Sequence, residues 1–425
     1  MALSRFIPAL LLVLVLLPRD LAAHPFDTYG FTSRAIALGG AATAAATDVD
    51  AAYYNPAAAV RARSFTLATG LLVADEFLKH SSGQARIAPI VHYQMGLATP
   101  LPLGRTLRDR LFVTIAASLP HHGFYDVRQP DDEALVFPFW DARNRRVVLT
   151  GGLAGRVTDW LAVGVGFSLL PNVLGEVQVD LMGNRGDNST RVQVRYDFAP
   201  TAGLLVTPWH WLSVALTYRG GHATNLDLPV DVNVIDDLPP IFARLTGPAY
   251  FVPHEVALGV ALSWREILTL ALDVTWHGYR RFRYSSPNVT LYDTSGAVIQ
   301  ESPAATSRFY DTFVPRAGVE WRALSFLLVR GGYAFVPSPV GYQSGVTNLL
   351  DSHRSVVSAG VGFDVPGEYL WEGVSRLAVD LHAQMSFLWQ RGFEKHSVMV
   401  GNPGYPTVSF SGGTYSLGLS ARLWF

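Results

Sequence analysis

The sequence predicts an all-β fold, a transmembrane antiparallel β-barrel of about 14 strands with an N-terminal hatch (plug) inside the lumen. Three observations predict it. Apolar and polar residues alternate with a period of two from residue 62 onward, connections alternate between short and long, and tryptophan gathers at strand ends.

The alternation is plain in LTLALDVTW, where Leu268, Leu270, Leu272, Val274 and Trp276 alternate with Thr269, Ala271, Asp273 and Thr275. A strand turns successive side chains to opposite faces, so each set occupies one face. RLAVDLHAQMSF repeats the pattern, with Leu377, Val379, Leu381, Ala383, Met385 and Phe387 set against Arg376, Asp380, His382 and Gln384. EVALGVALSW, LSVALTY, AVGVGFSL and YSLGLSARLWF do the same. Strands are expected near 62–74, 86–99, 110–119, 147–157, 160–181, 191–207, 211–223, 253–264, 268–282, 312–322, 325–335, 354–364, 375–388 and 413–425.

Tight turns fall at VTDW, TPWH, WREI and RALS, and long polar stretches near 120–146, 224–251, 283–311, 336–353 and 389–412. Short turns on one side and long loops on the other describe an outer-membrane barrel. Trp160, Trp209, Trp211, Trp264, Trp321, Trp371 and Trp424 sit at or beside the short turns, Trp276 and Trp389 at the long-loop ends, and Trp140 inside a loop. Indole rings favour the bilayer–water boundary. A soluble β-sandwich also alternates, but it holds its tryptophans mid-strand in the core. In the last strand Tyr415, Leu417, Leu419, Ala421, Leu423 and Phe425 share one face. That pattern resembles the signal by which outer-membrane barrels are recognised, so the barrel assembly machinery is an expected partner.

Residues 1–23 read as a secretory signal peptide, with Arg5 as the positive region, an apolar run from Ile7 to Leu17 and a small-residue cleavage point after Ala23. The run is short for a bilayer span. Cysteine is absent, which excludes a lipoprotein acylation site, an iron–sulfur cluster and Cys-ligated zinc. The formal net charge of −1 leaves no nucleic-acid footprint. The organisation expected is therefore a signal peptide over 1–23, a hatch over 24–60 and a barrel with long extracellular loops over 61–425.

A barrel this wide is not filled by its own side chains and needs a channel or a plug. The segment ALGGAATAAATDVDAAYYNPAAA, residues 37–59, supplies small side chains that let backbone pack within a lumen. Gly39 and Gly40 permit turns closed to other residues, and Pro56 fixes a bend after Asn55. Phe26, Tyr29, Phe31, Tyr53 and Tyr54 fit poorly with a disordered tail.

The stretch YGFTSRAIALGGAATAAATDVDAAYYNPAAA resembles the N-terminal hatch of the FadL family, the long-chain fatty acid transporters that include TodX-type aromatic hydrocarbon channels. The family pattern falls on Gly30-Phe31, Ser33-Arg34-Ala35, Gly39-Gly40-Ala41, Asp48 and Asn55-Pro56-Ala57. Looser likeness, as in WLSVALTYR and FLLVRGGYAFVPSP, spans the mature chain. The resemblance implies a monomer in the outer membrane of a Gram-negative bacterium, surrounded by its lipids and lipopolysaccharide and needing no cofactor. A hydrophobic small molecule would be captured by outer loops and pass into an apolar interior. The hatch would then shift, and the molecule would leave sideways into the membrane at a kinked strand.

The chain departs from the family near 182–190, where MGNRGDNST is short and the fatty-acid transporters carry a longer loop. Capture is then expected at Phe124, Phe137, Phe139 and Trp140, and at Ile241, Phe242 and Leu245, the last three laid on one face of a short helix in DDLPPIFARL. Arg143, Arg145, Arg146 and Arg244 are the only loop cations placed to receive a carboxylate, so fatty acid and aromatic hydrocarbon stand as rivals.

Inward charges at Asp273, Arg316, Glu320, Arg330, Arg376 and Asp380 describe a hydrated lumen held in mutual ion pairs, or the lining of a selective polar pore, with a general porin as a further alternative. His80, His92, His121, His122 and His254 match no metal-ligand spacing. A barrel-embedded lipid enzyme would need a nucleophile beside a base. Ser386 and His382 lie four apart on one strand, about 13 Å by strand rise, so no catalytic residue is assigned.

Overall fold

A computed structural model describes residues 25–85, 87–104, 109–121, 135–140, 146–180, 190–233, 241–285, 288–301, 306–396 and 402–425. Fourteen of its strands form the wall: β1 (Thr66–Glu76), β2 (Ile90–Pro100), β3 (Leu111–Pro120), β4 (Val148–Arg156), β5 (Leu161–Asp180), β6 (Thr190–Trp209), β7 (Leu212–Arg219), β8 (Glu255–Trp264), β9 (Leu268–His277), β10 (Thr312–Leu324), β11 (Leu327–Val336), β12 (Arg354–Pro366), β13 (Arg376–Glu394) and β14 (Thr407–Trp424). Each pairs antiparallel with the next. β14 returns to β1 with Trp424 opposite Thr66, so the wall closes and no strand edge is left to lipid. Among the described residues no helix is long and apolar enough to cross a membrane.

The period-two pattern sorts as the alternation requires. In β9, Leu270, Leu272 and Val274 are 43%, 56% and 44% exposed on the outer face, while Ala271, Asp273 and Thr275 are buried toward the lumen. Trp160, Trp209, Trp211, Trp264, Trp321 and Trp371 are exposed at the short-turn end, and Trp389 at the other. Trp424 differs. It shares the inward parity of Ser420 and Arg422, is buried, and lies under the guanidinium groups of Arg376 and Arg422 at 4.5 and 5.6 Å. Its place on the outer rim is taken by Phe65 against Phe425, ring centroids 5.7 Å apart.

Strand ends differ where the chain has another task. β1 starts at Thr66 and not near 62, because Pro56–Arg61 forms a 3-10 turn that leads the chain to the wall. β9 stops at His277, where Gly278 and the turn Tyr279–Arg281 bend it inward. On the loop side the sheet continues beyond the wall. His222–Asn233 pairs with Ile241–Val252, Val230 to Asn233 run parallel to Val177–Asp180 of β5, and Phe242 to Thr246 pair with Asn288–Tyr292.

This corrects the expected helix in DDLPPIFARL. Residues 234–240 lie outside the described residues, and Ile241 onward is a strand whose alternation separates position 242 from 241 and 245. His222–Asn233, with Leu226, Leu228, Val230 and Val232 at period two, on one side and Asn288–Tyr292 on the other offer ladder partners that a short helix could not use.

Inside the wall sits the N-terminal segment: α1 (Pro25–Tyr29), α2 (Ser33–Ala37), α3 (Ala51–Tyr54) and two 3-10 turns, Asp48–Asp50 and Pro56–Arg61. The side chain of Thr32 accepts from the Ala35 N–H to start α2. Gly39 and Gly40, at φ 67° and 76°, end it, and the Gly40 N–H returns 3.0 Å to the Ala35 carbonyl. From Phe31 to Ala59 nearly every residue is buried, so this segment occupies the lumen.

Candidate functional site: the hatch and the lumen above it

Ala and Gly dominate the hatch because the wall opposite is stripped of side chains. Asn55, Pro56 and Ala57 lie on Gly152 of β4, Gly164 of β5 and Gly203 of β6. Leu38 and Gly39 lie on Gly318 of β10 and Gly332 of β11, Ala37 on Gly360 of β12, and Val49 on Gly96 of β2. A Cβ at Gly318 would stand 2.5 Å from the Leu38 carbonyl oxygen, and one at Gly360 would stand 2.6 Å from the Ala37 methyl. Backbone therefore meets backbone, which only small residues allow.

Polar ties fix the register. Asn55 is fully buried, and its Nδ2 donates to the Thr43 carbonyl (3.1 Å) and to Leu204 of the wall (3.2 Å), while its Oδ1 accepts from Ala57 N–H (3.0 Å). The Thr43 N–H donates to Asp273 of β9 at 2.8 Å. Arg61 donates to the Ala44 and Ala46 carbonyls (both 2.8 Å) and to Ser213 Oγ of β7 (2.7 Å).

The hatch is also closed into a ring of charge. Arg34 of α2 grips Glu320 of β10 through Nε (2.9 Å) and Nη2 (3.0 Å). Glu320 meets Arg330 of β11 at 2.6 Å, and Arg330 meets Asp380 of β13 at 2.7 Å. Asp380 meets Arg422 of β14 at 2.9 Å, Arg422 reaches Asp50 of the hatch at 3.9 Å, and Asp50 returns to Arg34 at 3.4 Å. Three cations alternate with three carboxylates, so each buried charge has an opposite neighbour on both sides.

The sequence expectation of mutual ion pairs is met among the six wall charges only by Glu320, Arg330 and Asp380; the other three find partners outside that set. Asp273 takes the backbone of Thr43, Arg316 donates to Thr275 Oγ1 at 2.6 Å, and Arg376 pairs with Asp364 at the rim (2.6 Å). Asp48, at φ 46°, begins the 3-10 turn and is buried, as is Ser33, while its neighbour Asp50 makes the ring contacts. Sequence reading passed over Asp50, Arg61 and Arg422.

Above the hatch an aromatic stack descends from the loops. Phe309 meets Phe282 (4.8 Å), Phe282 meets Phe251 (3.7 Å), Phe251 meets Tyr279 (5.6 Å), and Tyr279 meets Phe139 (6.0 Å). Trp140 lies 6.4 Å from Tyr29 of α1, whose hydroxyl donates to Glu76 at 2.7 Å. Phe137 packs on Phe410 at 6.0 Å. Phe137, Phe139 and Trp140 are thus buried in the mouth of the lumen, where the sequence expectation set them in outward loops. Phe242 lies in the outer sheet opposite Tyr292, so the expected capture residues are divided between two places. Phe124 lies outside the described residues, as do residues 181–189 of the short loop and Arg143 and Arg145.

Two cavities meet here. The inner, of about 50 Å³, is bounded by Phe26, Tyr29 and Tyr54 of the hatch, and the outer, of about 30 Å³, by Phe139, Tyr279 and Asp351. Arg316 and Arg354 line both. The Arg354 guanidinium lies 4.8 Å over the Trp140 ring. Such volumes hold a water or two, so any larger guest requires the hatch or the loops to move.

Burial pushes the Asp351 carboxyl up to about 6, against the pull of Arg354, of the Ser338 hydroxyl and of Arg391. The folded loop therefore keeps a proton that the opened loop, at the ordinary value of 3.8, gives up. Stability of the loop over 337–353 should fall as pH rises from 4 to 6, by at most about 3 kcal/mol, and then level off. Amide exchange across that interval checks this, and Asp351→Asn should flatten the dependence.

Most of the chain has relatives. Alkane uptake protein A of Marinobacter nauticus is 22% identical over 382 residues, covering 81% of this chain and 79% of that protein. A FadL homologue of Pseudomonas aeruginosa superposes with a TM-score of 0.61 at 16% identity, covering 96% of this chain and all of that one. The P. putida toluene transporter TodX gives 0.59 at 15% identity over 94% of this chain and 99% of its own. No family model matches the sequence. At these identities the structural likeness is one of fold. Fourteen strands closing β14 onto β1 around a hatch give the chain the fold of the FadL and TodX barrels, a fold of the outer membrane of Gram-negative bacteria.

Proposed function

We propose that the chain takes up hydrophobic small molecules across the outer membrane, with long-chain fatty acids the favoured guests. The observation that carries this is the pair Arg316 and Arg354 at the shared wall of the two cavities. Their described contacts are a neutral hydroxyl and an aromatic face, with no carboxylate at ion-pair distance among the described residues. Directly above stand Phe139 and Tyr279. Cations beneath an aromatic stack suit a guest with an apolar tail and an anionic head.

In this reading the loops admit the tail, the arginines hold the head, and movement of the hatch opens the way past Asn55, Pro56 and Ala57. The guest then leaves sideways into the bilayer, driven by roughly 0.8 kcal/mol per methylene taken from water. No bond is made or broken. A single barrel suffices, bathed in lipid and lipopolysaccharide, and β14 with Tyr415, Leu417, Leu419 and Phe425 outward is the strand its assembly machinery would engage.

A second reading, a neutral hydrocarbon, is favoured by the likeness to an alkane uptake protein. Uptake of oleate, an alkane and a monoaromatic hydrocarbon by wild type and by Arg316→Gln/Arg354→Gln separates the two. Oleate uptake should fall about tenfold, the worth of one charge-assisted hydrogen bond, with neutral guests unaffected. Equal loss of all three would reduce the arginines to scaffolding, and no loss would favour the hydrocarbon. Passage of small sugars through wild type would overturn the function itself.

A further inference from the structure

The inner face of β13 and β14 carries polar groups at every second residue. Register pairs Asp380 with Ser420, His382 with Gly418, Gln384 with Ser416 and Ser386 with Thr414. α2 packs against this face and against β12. His382, Ser386, Ser416 and Ser420 are each at least nine-tenths buried. Yet both ring nitrogens of His382, the three serine hydroxyls and Nε of Arg422 find no partner among the described residues.

The residues that carry these six atoms follow one another in register along β13 and β14. Their line starts at the charge ring, where Arg422 and Asp380 sit, and passes His382 between Gly360 and Gly418. It passes Gln384, which lines the inner cavity, and ends at Ser386, eight residues along β13 from Ala378, which faces Arg422. At the rise of a strand, eight residues along β13 cover roughly 27 Å. Buried polar atoms are left bare only at high cost, and a run of them at strand spacing offers each water in turn the two to four partners it needs.

We propose that a file of bound water fills the seam between α2 and the wall of β13 and β14, joining the charge ring to the inner cavity. The hatch is then dry where it sits on glycine, at Asn55, Pro56 and Ala57 and again at Ala37, Leu38 and Gly39, and wet along β13 and β14. Nothing in the uptake reading requires this seam, and it stands whichever guest is carried.

X-ray hydroxyl-radical footprinting of the full-length protein in nanodiscs tests it, because radicals formed from bound water oxidise the side chain beside it even when that side chain is buried. His382 should be oxidised at a rate comparable with exposed His210 and far above that of Phe31, which is equally buried within the hatch. Oxidation of His382 no faster than Phe31 would overturn the proposal. In Ser416→Ala/Ser420→Ala, checked for heat-modifiable migration, labelling of His382 should fall severalfold while that of His210 holds. Unchanged labelling of His382 would show that no file passes the serines, and the proposal would fail.

Discussion

Deleting residues 24–59 should leave a barrel that assembles and still migrates as a heat-modifiable band, but conducts as an open pore. All the strand pairings lie outside the deleted segment, so the wall keeps its ladder. What goes is the material that fills it, from α1 to the turn at Asn55–Pro56. Wide barrels without a plug carry an aqueous channel, so single-channel conductance should rise roughly tenfold or more and lose its closures. Conductance equal to that of the intact protein would mean that the segment does not seal the lumen. Loss of the heat-modifiable band would mean instead that the wall depends on the hatch to fold.

Arg34→Leu should unseat the hatch without touching the wall. The change leaves Glu320 and Asp50 each with a single cation in a buried place, and breaking a buried pair from one side costs about 3–5 kcal/mol. Much of that cost falls on the hatch, so the intact barrel should show frequent openings and faster proteolysis within residues 25–61. Arg34→Lys should rescue only part of the effect, because an ammonium cannot match the two-point grip on Glu320. In Arg34→Leu/Glu320→Leu the loss should be smaller than the sum of the single changes, since the two side chains form one interaction. Strictly additive losses, or openings no more frequent than in wild type, would count against the ring as the latch.

The wall was legible because its physics is local. In β9 or β13 the neighbours that set the face of a side chain are one and two residues away, so alternation alone sorted Leu272 from Asp273. The hatch motif was legible for a similar reason: Gly39-Gly40 and Asn55-Pro56 declare their turns within a few residues.

The charge ring was not legible, since Arg34 and Glu320 are 286 residues apart and nothing along the chain ties them. Gly164, Gly203 and Gly332 read as weak points of strands, and only the hatch lying on them gives them a purpose. Trp424 was counted with the rim by its position along β14, although its parity turned it inward. Ile241, Phe242 and Leu245 have helical spacing, but long-range pairing to His222–Asn233 overrode it.

The hatch precedes β1 in the chain, yet its contacts run from Gly96 on β2 to Arg422 on β14. A wall that fits its contents backbone to backbone cannot be wrapped first and stoppered afterwards, because the stopper would have to pass strands that leave it no clearance. Sealing the last seam, Thr66 to Trp424, and seating the plug are therefore one event in time. The earliest exported residues must wait, held by little of their own structure, until the final hairpin arrives. Closing that seam pairs strands from opposite ends of the wall's sequence, and long-range closures of this kind form slowly.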